Sequence, residues 1–61
     1  MEKYPESITV FDVQGRRQII AQVIEKEQII IIDVSGFSSG VYEVLFEWGD
    51  GTRANTRFVK F

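Results

Sequence analysis

The stretch that decides the fold is Asp33-Val34-Ser35-Gly36-Phe37-Ser38-Ser39-Gly40-Val41-Tyr42. Four consecutive isoleucines precede it, and a segment in which apolar residues recur at alternate positions follows it. β-Branched residues favour strands, whereas Asp, Ser and Gly favour turns. The stretch therefore predicts a defined corner between two strands of a β-sheet protein.

Downstream of the corner, residues 41–48 give the clearest strand pattern of the chain. Aromatic and aliphatic side chains at 42, 44, 46 and 48 share one face, and the other face is half acidic, as in a sheet with one wet face. Gly49-Asp50-Gly51 then predicts a hairpin turn, because Asp-Gly accepts the backbone twist that hairpins require. Residues 52–61 are predicted to return as the last strand.

Upstream of the corner, residues 7–12 predict a strand and residues 12–15 a turn. Residues 16–24 allow two interpretations: a helix with an isoleucine stripe, or a strand with Ile19, Ala21 and Val23 on one face. The lack of an N-cap residue before Arg16 favours the strand. Residues 25–27 predict a charged turn. Residues 28–34 predict a strand that is buried on both faces, or packed on one and covered by a partner on the other.

Together these signals predict an all-β protein, a small antiparallel immunoglobulin-like β-sandwich of about five strands. Residues 1–61 form a single domain in this interpretation, with residues 1–6 as a linker or disordered segment. A complete immunoglobulin sandwich has about seven strands, so open sheet edges are expected, and such edges recruit other strands. The predicted core consists of Val10, Ile30, Ile32, Val34, Phe37, Tyr42, Val44, Phe46 and Phe58.

The composition excludes several classes of function. The chain of 61 residues has no cysteine and no histidine, so it has no disulfide, no thiol nucleophile and no imidazole base. Its formal net charge is -2, which argues against nucleic acid, since binding to phosphates requires an excess of Lys and Arg. Arg16 and Arg17 form a pair and not a basic patch.

The sequence contains no convincing candidate for a catalytic or metal-binding site. Asp50 lacks the further acidic ligands of a calcium loop, and Glu43 and Glu47 lie on a predicted wet face without a cleft. Residues 38–40 do not form a nucleophile elbow, and Tyr42 and Trp48 are predicted to be core residues. We therefore expect a protein that is not an enzyme and has no cofactor, metal or small-molecule substrate.

Three segments, in this order, are similar to segments of one family. They are Ser7-Ile8-Thr9-Val10-Phe11-Asp12-Val13-Gln14-Gly15-Arg16, then Ile32 to Tyr42 through the corner, then Gly49-Asp50-Gly51 with Phe58-Val59-Lys60. The family is the type A C-terminal sorting domain of the type IX (Por) secretion system of Bacteroidota. The resemblance covers about residues 7–61. The family normally has one further strand before the Asp-x-x-Gly strand, so the chain resembles a shortened member.

The resemblance implies a non-catalytic secretion signal at the end of a secreted cargo protein. An outer-membrane translocon recognises such domains, and a surface sortase usually removes them. Most positions that match the family's signature are expected to be structural: Asp12, Gly15, Arg16, Asp33, Gly40, Val41 and Tyr42. Lys60 also matches the signature, and the expected recognition surface is the last strand, with Phe58, Val59, Lys60 and Phe61.

The resemblance places the domain in the periplasm and then at the cell surface, as the tail of a larger cargo. The N-terminus has no apolar leader, so the chain alone is expected to remain in the cytoplasm. The alternative function is a small adhesion or assembly module that acts through open sheet edges, possibly as a homodimer. The strongly apolar residues 29–32 are the observation that motivates this alternative.

Overall fold

The computed structural model describes residues 4–20, 22–27 and 29–61, and these are arranged as two antiparallel sheets. One sheet has four strands in the order β2-β1-β5-β6, and the other consists of β3 and β4. The described residues contain no helix. The strands are β1 (Ser7–Asp12), β2 (Arg17–Gln18), β3 (Val23–Lys26), β4 (Ile29–Ile32), β5 (Gly40–Glu47) and β6 (Arg53–Lys60).

The all-β, antiparallel prediction is confirmed, with six strands in place of about five. The extra strand comes from the ambiguous residues 16–24, which form neither a helix nor one continuous strand. The chain leaves the first sheet after Gln18 and enters the second at Val23, while Ala21 lies outside the described residues. The immunoglobulin-like arrangement remains a prediction.

The turn after β1 and the hairpin between β5 and β6 lie where the sequence predicts them. Trp48 and Thr52 close the hairpin, the amide of Trp48 donating to the carbonyl of Thr52 at 2.9 Å. The predicted charged turn at 25–27 is partly wrong, because Glu25 and Lys26 belong to β3. The turn is at Glu27, whose φ of 57° is left-handed.

The core lies between the sheets, on the face of β5 that carries its alternating apolar residues. Buried residues are Val10, Phe37, Tyr42 and Val44, and Ile32, Val34, Phe46 and Phe58 pack against them while partly exposed. These eight belong to the predicted core. Ile8 and Ile20 also pack against it and were not predicted.

The isoleucine strand β4 is packed on one face only. Ile30 and Ile32 are half-buried, whereas 60% of Ile29 and 53% of Ile31 is exposed. Burial on both faces is therefore wrong for this chain by itself, because no second layer among the described residues covers the outer face. Strand β3 adds exposed apolar surface on that side through Ile24.

The segment before β1 lies against the sheets where it is described. Pro5 is buried, the amide of Glu6 donates to the carbonyl of Glu47 at 2.7 Å, and the hydroxyl of Tyr4 donates to the carbonyl of Glu27. The prediction of one domain with a linker at residues 1–6 remains a prediction, since residues 1–3 are not described.

Candidate functional site

The register of the four-stranded sheet brings distant segments of the chain to one end of the molecule. Asp12 is opposite Tyr42, and Tyr42 is opposite Phe58, so the end of β1, the start of β5 and the end of β6 are neighbours. Gly40 is opposite Lys60 at the same end. We call this end, formed by residues 12–16, 33–42 and 58–61, the distal end. It is opposite the end where β1 begins at Ser7.

Asp12 organises the turn between β1 and β2. Its Oδ1 accepts the amides of Gln14 and Arg16, each at 2.9 Å, and its Oδ2 accepts Arg16 Nε at 2.9 Å. The amide of Gly15 donates to the Asp12 carbonyl at 3.0 Å. Gly15 has a φ of 80°, a conformation that a residue with a Cβ rarely adopts. The turn therefore explains why Asp12, Gly15 and Arg16 occur at this spacing.

The electrostatics of Asp12 follow from these bonds. The amide of Arg16 contributes most to lowering the pKa of Asp12, with further contributions from the Arg16 side chain and the amide of Gln14. Only 14% of the Asp12 side chain is exposed, compared with 73% for Arg16. A carboxylate with so many donors serves as a hydrogen-bond acceptor for the backbone and not as a proton carrier.

Asp33 performs the same task in the corner. Its Oδ1 accepts the amide of Ser35 at 2.9 Å, and the amide of Phe37 donates to the carbonyl of Val34 at 3.0 Å. The hydroxyl and amide of Ser35 hold the pKa of Asp33 below its usual range, and the charge of Lys60 acts in the same direction. Hydrogen bonds from its own polar groups therefore stabilise the turn at the start of the corner.

Lys60 binds the corner from the last strand. Its ammonium group donates to the carbonyls of Val34 at 2.7 Å, Ser35 at 3.1 Å and Phe37 at 2.8 Å. An ammonium group has three protons, so these three acceptors use its full donor capacity. We call this arrangement the lysine latch. It joins the end of β6 to a loop more than 20 residues earlier in the chain.

Tyr42 packs the apolar side of the distal end. Its ring centroid lies 5.0 Å from that of Phe37 and 5.3 Å from that of Phe58. Its hydroxyl donates to the carbonyl of Ser38 at 2.6 Å, so both its apolar and its polar atoms are satisfied. Tyr42 thus joins the core to the corner, and it is not available as a stacking platform.

The residues predicted from the sequence divide between inward and outward positions. The signature residues all lie at the distal end and are engaged in turns, strand pairing or the core, although the side chains of Val41 and Arg16 are exposed. Of the predicted recognition residues, Phe58 packs into the core and Lys60 forms the latch, whereas Val59 is 52% exposed and Phe61 fully exposed.

Val13 is an exposed residue of the distal end that sequence reasoning did not select. It lies in the turn organised by Asp12 and is 78% exposed. With Phe11, Val41 and Leu45 it lines a shallow concavity on the outer face of the four-stranded sheet. A turn of this kind does not require an apolar residue between Asp12 and Gln14. The valine at position 13 was therefore the signal in the sequence that could have indicated an exposed contact residue.

The distal end offers no arrangement for metal binding. In the described part of the chain there is no group of three or more His, Cys, Asp or Glu side chains that could hold a metal ion. Asp50, examined from the sequence as a possible calcium ligand, accepts the amide of Thr52 at 2.9 Å, as expected for a turn. Within the described ranges, no helix has the length and apolar character needed to cross a membrane.

Of three comparisons with known proteins, one finds a match. No curated protein and no solved structure matches the chain. A family model described as "Secretion system C-terminal sorting domain" matches residues 2–60, which is nearly the whole chain. The match includes the turn at residues 12–16, the corner at residues 33–42 and Lys60. The chain belongs to this family, the C-terminal sorting domains of type IX secretion.

Proposed function

We propose that the distal end is the surface through which the type IX secretion machinery recognises this domain. The observation that carries the proposal is the convergence of residues 12–16, 33–42 and 58–61 at the end opposite Ser7. A cargo protein joined before β1 would extend from the other end. The distal end would then remain accessible to a receptor while the cargo is attached.

The polar and apolar residues of the distal end have different roles in this proposal. Asp12, Asp33 and Lys60 fix the loops, because their charged groups bond to the backbone. The contact surface consists of exposed apolar groups, above all Val59 and Phe61. A receptor would bury these side chains, and a fixed scaffold lowers the entropy lost when it does so.

The partners are an outer-membrane translocon, which binds the domain, and a sortase, which removes it after export. A C-terminal sorting tail implies a cargo that is secreted or held at the cell surface. The family consists of sorting-signal domains. A non-catalytic role fits the carboxylates of Asp12 and Asp33 at the distal end, which accept hydrogen bonds from backbone amides. The comparisons do not support the alternative of an adhesion module or a homodimer.

Export of a reporter protein fused before Glu2 tests the proposal in a host with type IX secretion. We expect the reporter outside the cell with the unaltered domain, and in the periplasm with Val59→Ser or Phe61→Ser. Ile29→Ser is the matched control, because Ile29 is 60% exposed and lies outside the distal end. Export of both distal variants at the unaltered level would contradict the proposal, as would retention of the unaltered fusion.

A further inference from the structure

Three backbone carbonyls of the corner converge on one point, which the ammonium group of Lys60 occupies. The carbonyl oxygens of Val34, Ser35 and Phe37 lie 2.7, 3.1 and 2.8 Å from Lys60 Nζ. They come from residues 34–37, so a single short loop supplies all three acceptors. The lysine latch can therefore be divided into a binding site, which the corner provides, and a ligand, which the last strand carries.

The corner has supports that do not involve Lys60. Asp33 Oδ1 accepts the amide of Ser35, and the carbonyl of Val34 accepts the amide of Phe37. A carbonyl oxygen has two lone pairs, so that of Val34 can accept this amide and an ammonium proton together. The side chain of Phe37 is buried in the core. Because of these contacts, we expect the three carbonyls to keep their positions when the ammonium group is absent.

The geometry of the site suits a primary ammonium group. The three distances, 2.7–3.1 Å, are those of N–H···O hydrogen bonds, which span about 2.7–3.2 Å. Calcium lies closer to its oxygen ligands, at about 2.3–2.6 Å, and takes about six to eight of them. A quaternary ammonium ion has no N–H proton, and a guanidinium group spreads its donors over a planar fork. A primary ammonium group, in contrast, places three protons around one nitrogen.

The last strand delivers Lys60 to the site from the inner face of the sheet. Phe58 and Lys60 are two positions apart in β6, so their side chains share a face, and Phe58 packs against the core. Attachment to the same chain keeps the local concentration of the ammonium group high, so the site is filled while β6 is paired. Lys60 belongs to the last pair of the ladder, opposite Gly40. The ends of paired segments open most easily, so separation at this pair would expose the site.

We propose that the corner is a binding site for a primary ammonium group, which Lys60 fills from within the chain and an outside ligand fills when Lys60 leaves. The ligand class is an alkylammonium ion whose stem follows the path of the lysine side chain. This inference goes beyond the sorting function and does not depend on it. Binding of a cation in vitro and export of a reporter in a host are separate measurements.

The test removes the ligand from the chain and supplies it in solution. Lys60→Ala deletes the side chain beyond Cβ, and n-propylammonium has the same carbon and nitrogen atoms as the deleted part. Titration of the ¹⁵N-labelled variant should shift the amide resonances of residues 34–37 and yield a dissociation constant. At about ten times this constant, the ratio of folded to unfolded molecules should rise about tenfold. The unaltered protein should show neither response, because Lys60 occupies the site.

Two salts and one variant serve as controls. Tetramethylammonium has the same charge without an N–H donor, and potassium is a monovalent metal ion, so at equal ionic strength neither should reproduce the response. Arg57→Ala removes an exposed cation from the same strand and should gain nothing from n-propylammonium. Equal responses to the three cations would overturn the proposal. So would an equal response of Arg57→Ala, or a folded Lys60→Ala variant whose amides do not respond to n-propylammonium.

A second variant provides the test if Lys60→Ala does not fold. The chain has no cysteine, so Lys60→Cys can be alkylated at this one position while the protein is unfolded. 2-Bromoethylamine attaches a primary ammonium group at the distance of the lysine nitrogen, and (2-bromoethyl)trimethylammonium attaches a quaternary group at the same distance. After refolding, the first product should melt close to the unaltered protein and the second well below it. Equal melting of the two products would overturn the proposal.

Discussion

The distal end and the β3–β4 hairpin are held in opposite ways. At the distal end, Asp12, Asp33 and Lys60 bond to backbone groups, and each loop has its own polar anchor. In the hairpin, Ile30 and Ile32 pack inward, while the side chains of Ile29 and Ile31 are more than half exposed. The loops of the distal end are therefore stabilised by charged side chains that bond to the backbone, whereas the hairpin depends on packing against another layer.

Among variants that test this comparison, Tyr42→Ala at the distal end should lower the free energy of unfolding the most. Removing a buried aromatic side chain costs about 3–5 kcal/mol. A domain of this length has a free energy of unfolding of only about 3–9 kcal/mol. The Tyr42→Ala variant should therefore be largely unfolded or melt at a much lower temperature. Ile31→Ala, on the outer face of the hairpin, should stay within about 0.5 kcal/mol of the unaltered protein.

Thermal melting followed by circular dichroism measures both Tyr42→Ala and Ile31→Ala. Each kcal/mol should shift the midpoint by about 4–8 °C in a domain of this size. A large loss of stability in Ile31→Ala would mean that the outer face of the hairpin is covered after all.

Lys60→Met tests the lysine latch. Hydrogen bonds from a charged group contribute about 1.5–3 kcal/mol net, so the variant should lose stability in that range. Exchange of the Phe37 amide should also become faster, because the corner loses its connection to β6. Arg57→Met, at an exposed position of the same strand, is the matched control and should have little effect. Equal melting of the two variants would show that the latch does not stabilise the fold.

Gly15→Ala and Gly36→Ala separate backbone strain from side-chain contact. A Cβ added at either position meets nothing within 4 Å, but only Gly15 has a left-handed φ, of 80°. Gly15→Ala should therefore cost about 1–2 kcal/mol in chemical denaturation. Gly36→Ala should be neutral or stabilising by up to about 1 kcal/mol. Equal losses for the two would mean that the Asp12 turn tolerates another backbone conformation.

Acid should destabilise the protein through its turns. The pKa values of Asp12, Asp33 and Asp50 are lowered in the folded state, mainly by hydrogen bonds from Arg16, Ser35 and Thr52 respectively. Unfolded aspartate has a pKa of about 3.9. Below about pH 4 the unfolded chain binds more protons, so the free energy of unfolding should fall as the pH drops through the folded-state values.

Melting curves between neutral pH and about pH 3 measure this acid sensitivity. The double variant Asp12→Asn with Asp33→Asn should start less stable and lose less stability on acidification. A double variant that keeps the full acid sensitivity would show that other groups are responsible.

The sequence was most informative where a residue type serves one local purpose. Asp12, Gly15 and Asp50 predicted turns that the structure confirms, because a side chain bonding to its own backbone needs no distant partner. The alternation along β5 also predicted its buried face correctly. Residues 16–24 could not be predicted in the same way, since Ile19 and Ile20 occupy a crossing between sheets that only the tertiary structure defines.

The candidate site was predictable as a set of residues but not as a surface. Nothing in the sequence placed the Lys60 ammonium on three carbonyls of the corner, because that contact spans more than 20 residues. The division of the last strand into an inward Phe58 and an outward Val59 follows the strand period. The exposure of Val13 depends on the shape of the turn.

The positions of Ser7 and Lys60 have a mechanical consequence. Strands β1 and β6 run in the same direction, and each is antiparallel to β5, which lies between them. If a cargo is pulled from one end while a receptor grips the other, the tension runs along the strands and loads each ladder in shear. All six residue pairs of one ladder and eight of the other then resist together, where peeling would break them one at a time. Under such a load, the ladders that join β1, β5 and β6 would have to break as a unit before the domain unfolded.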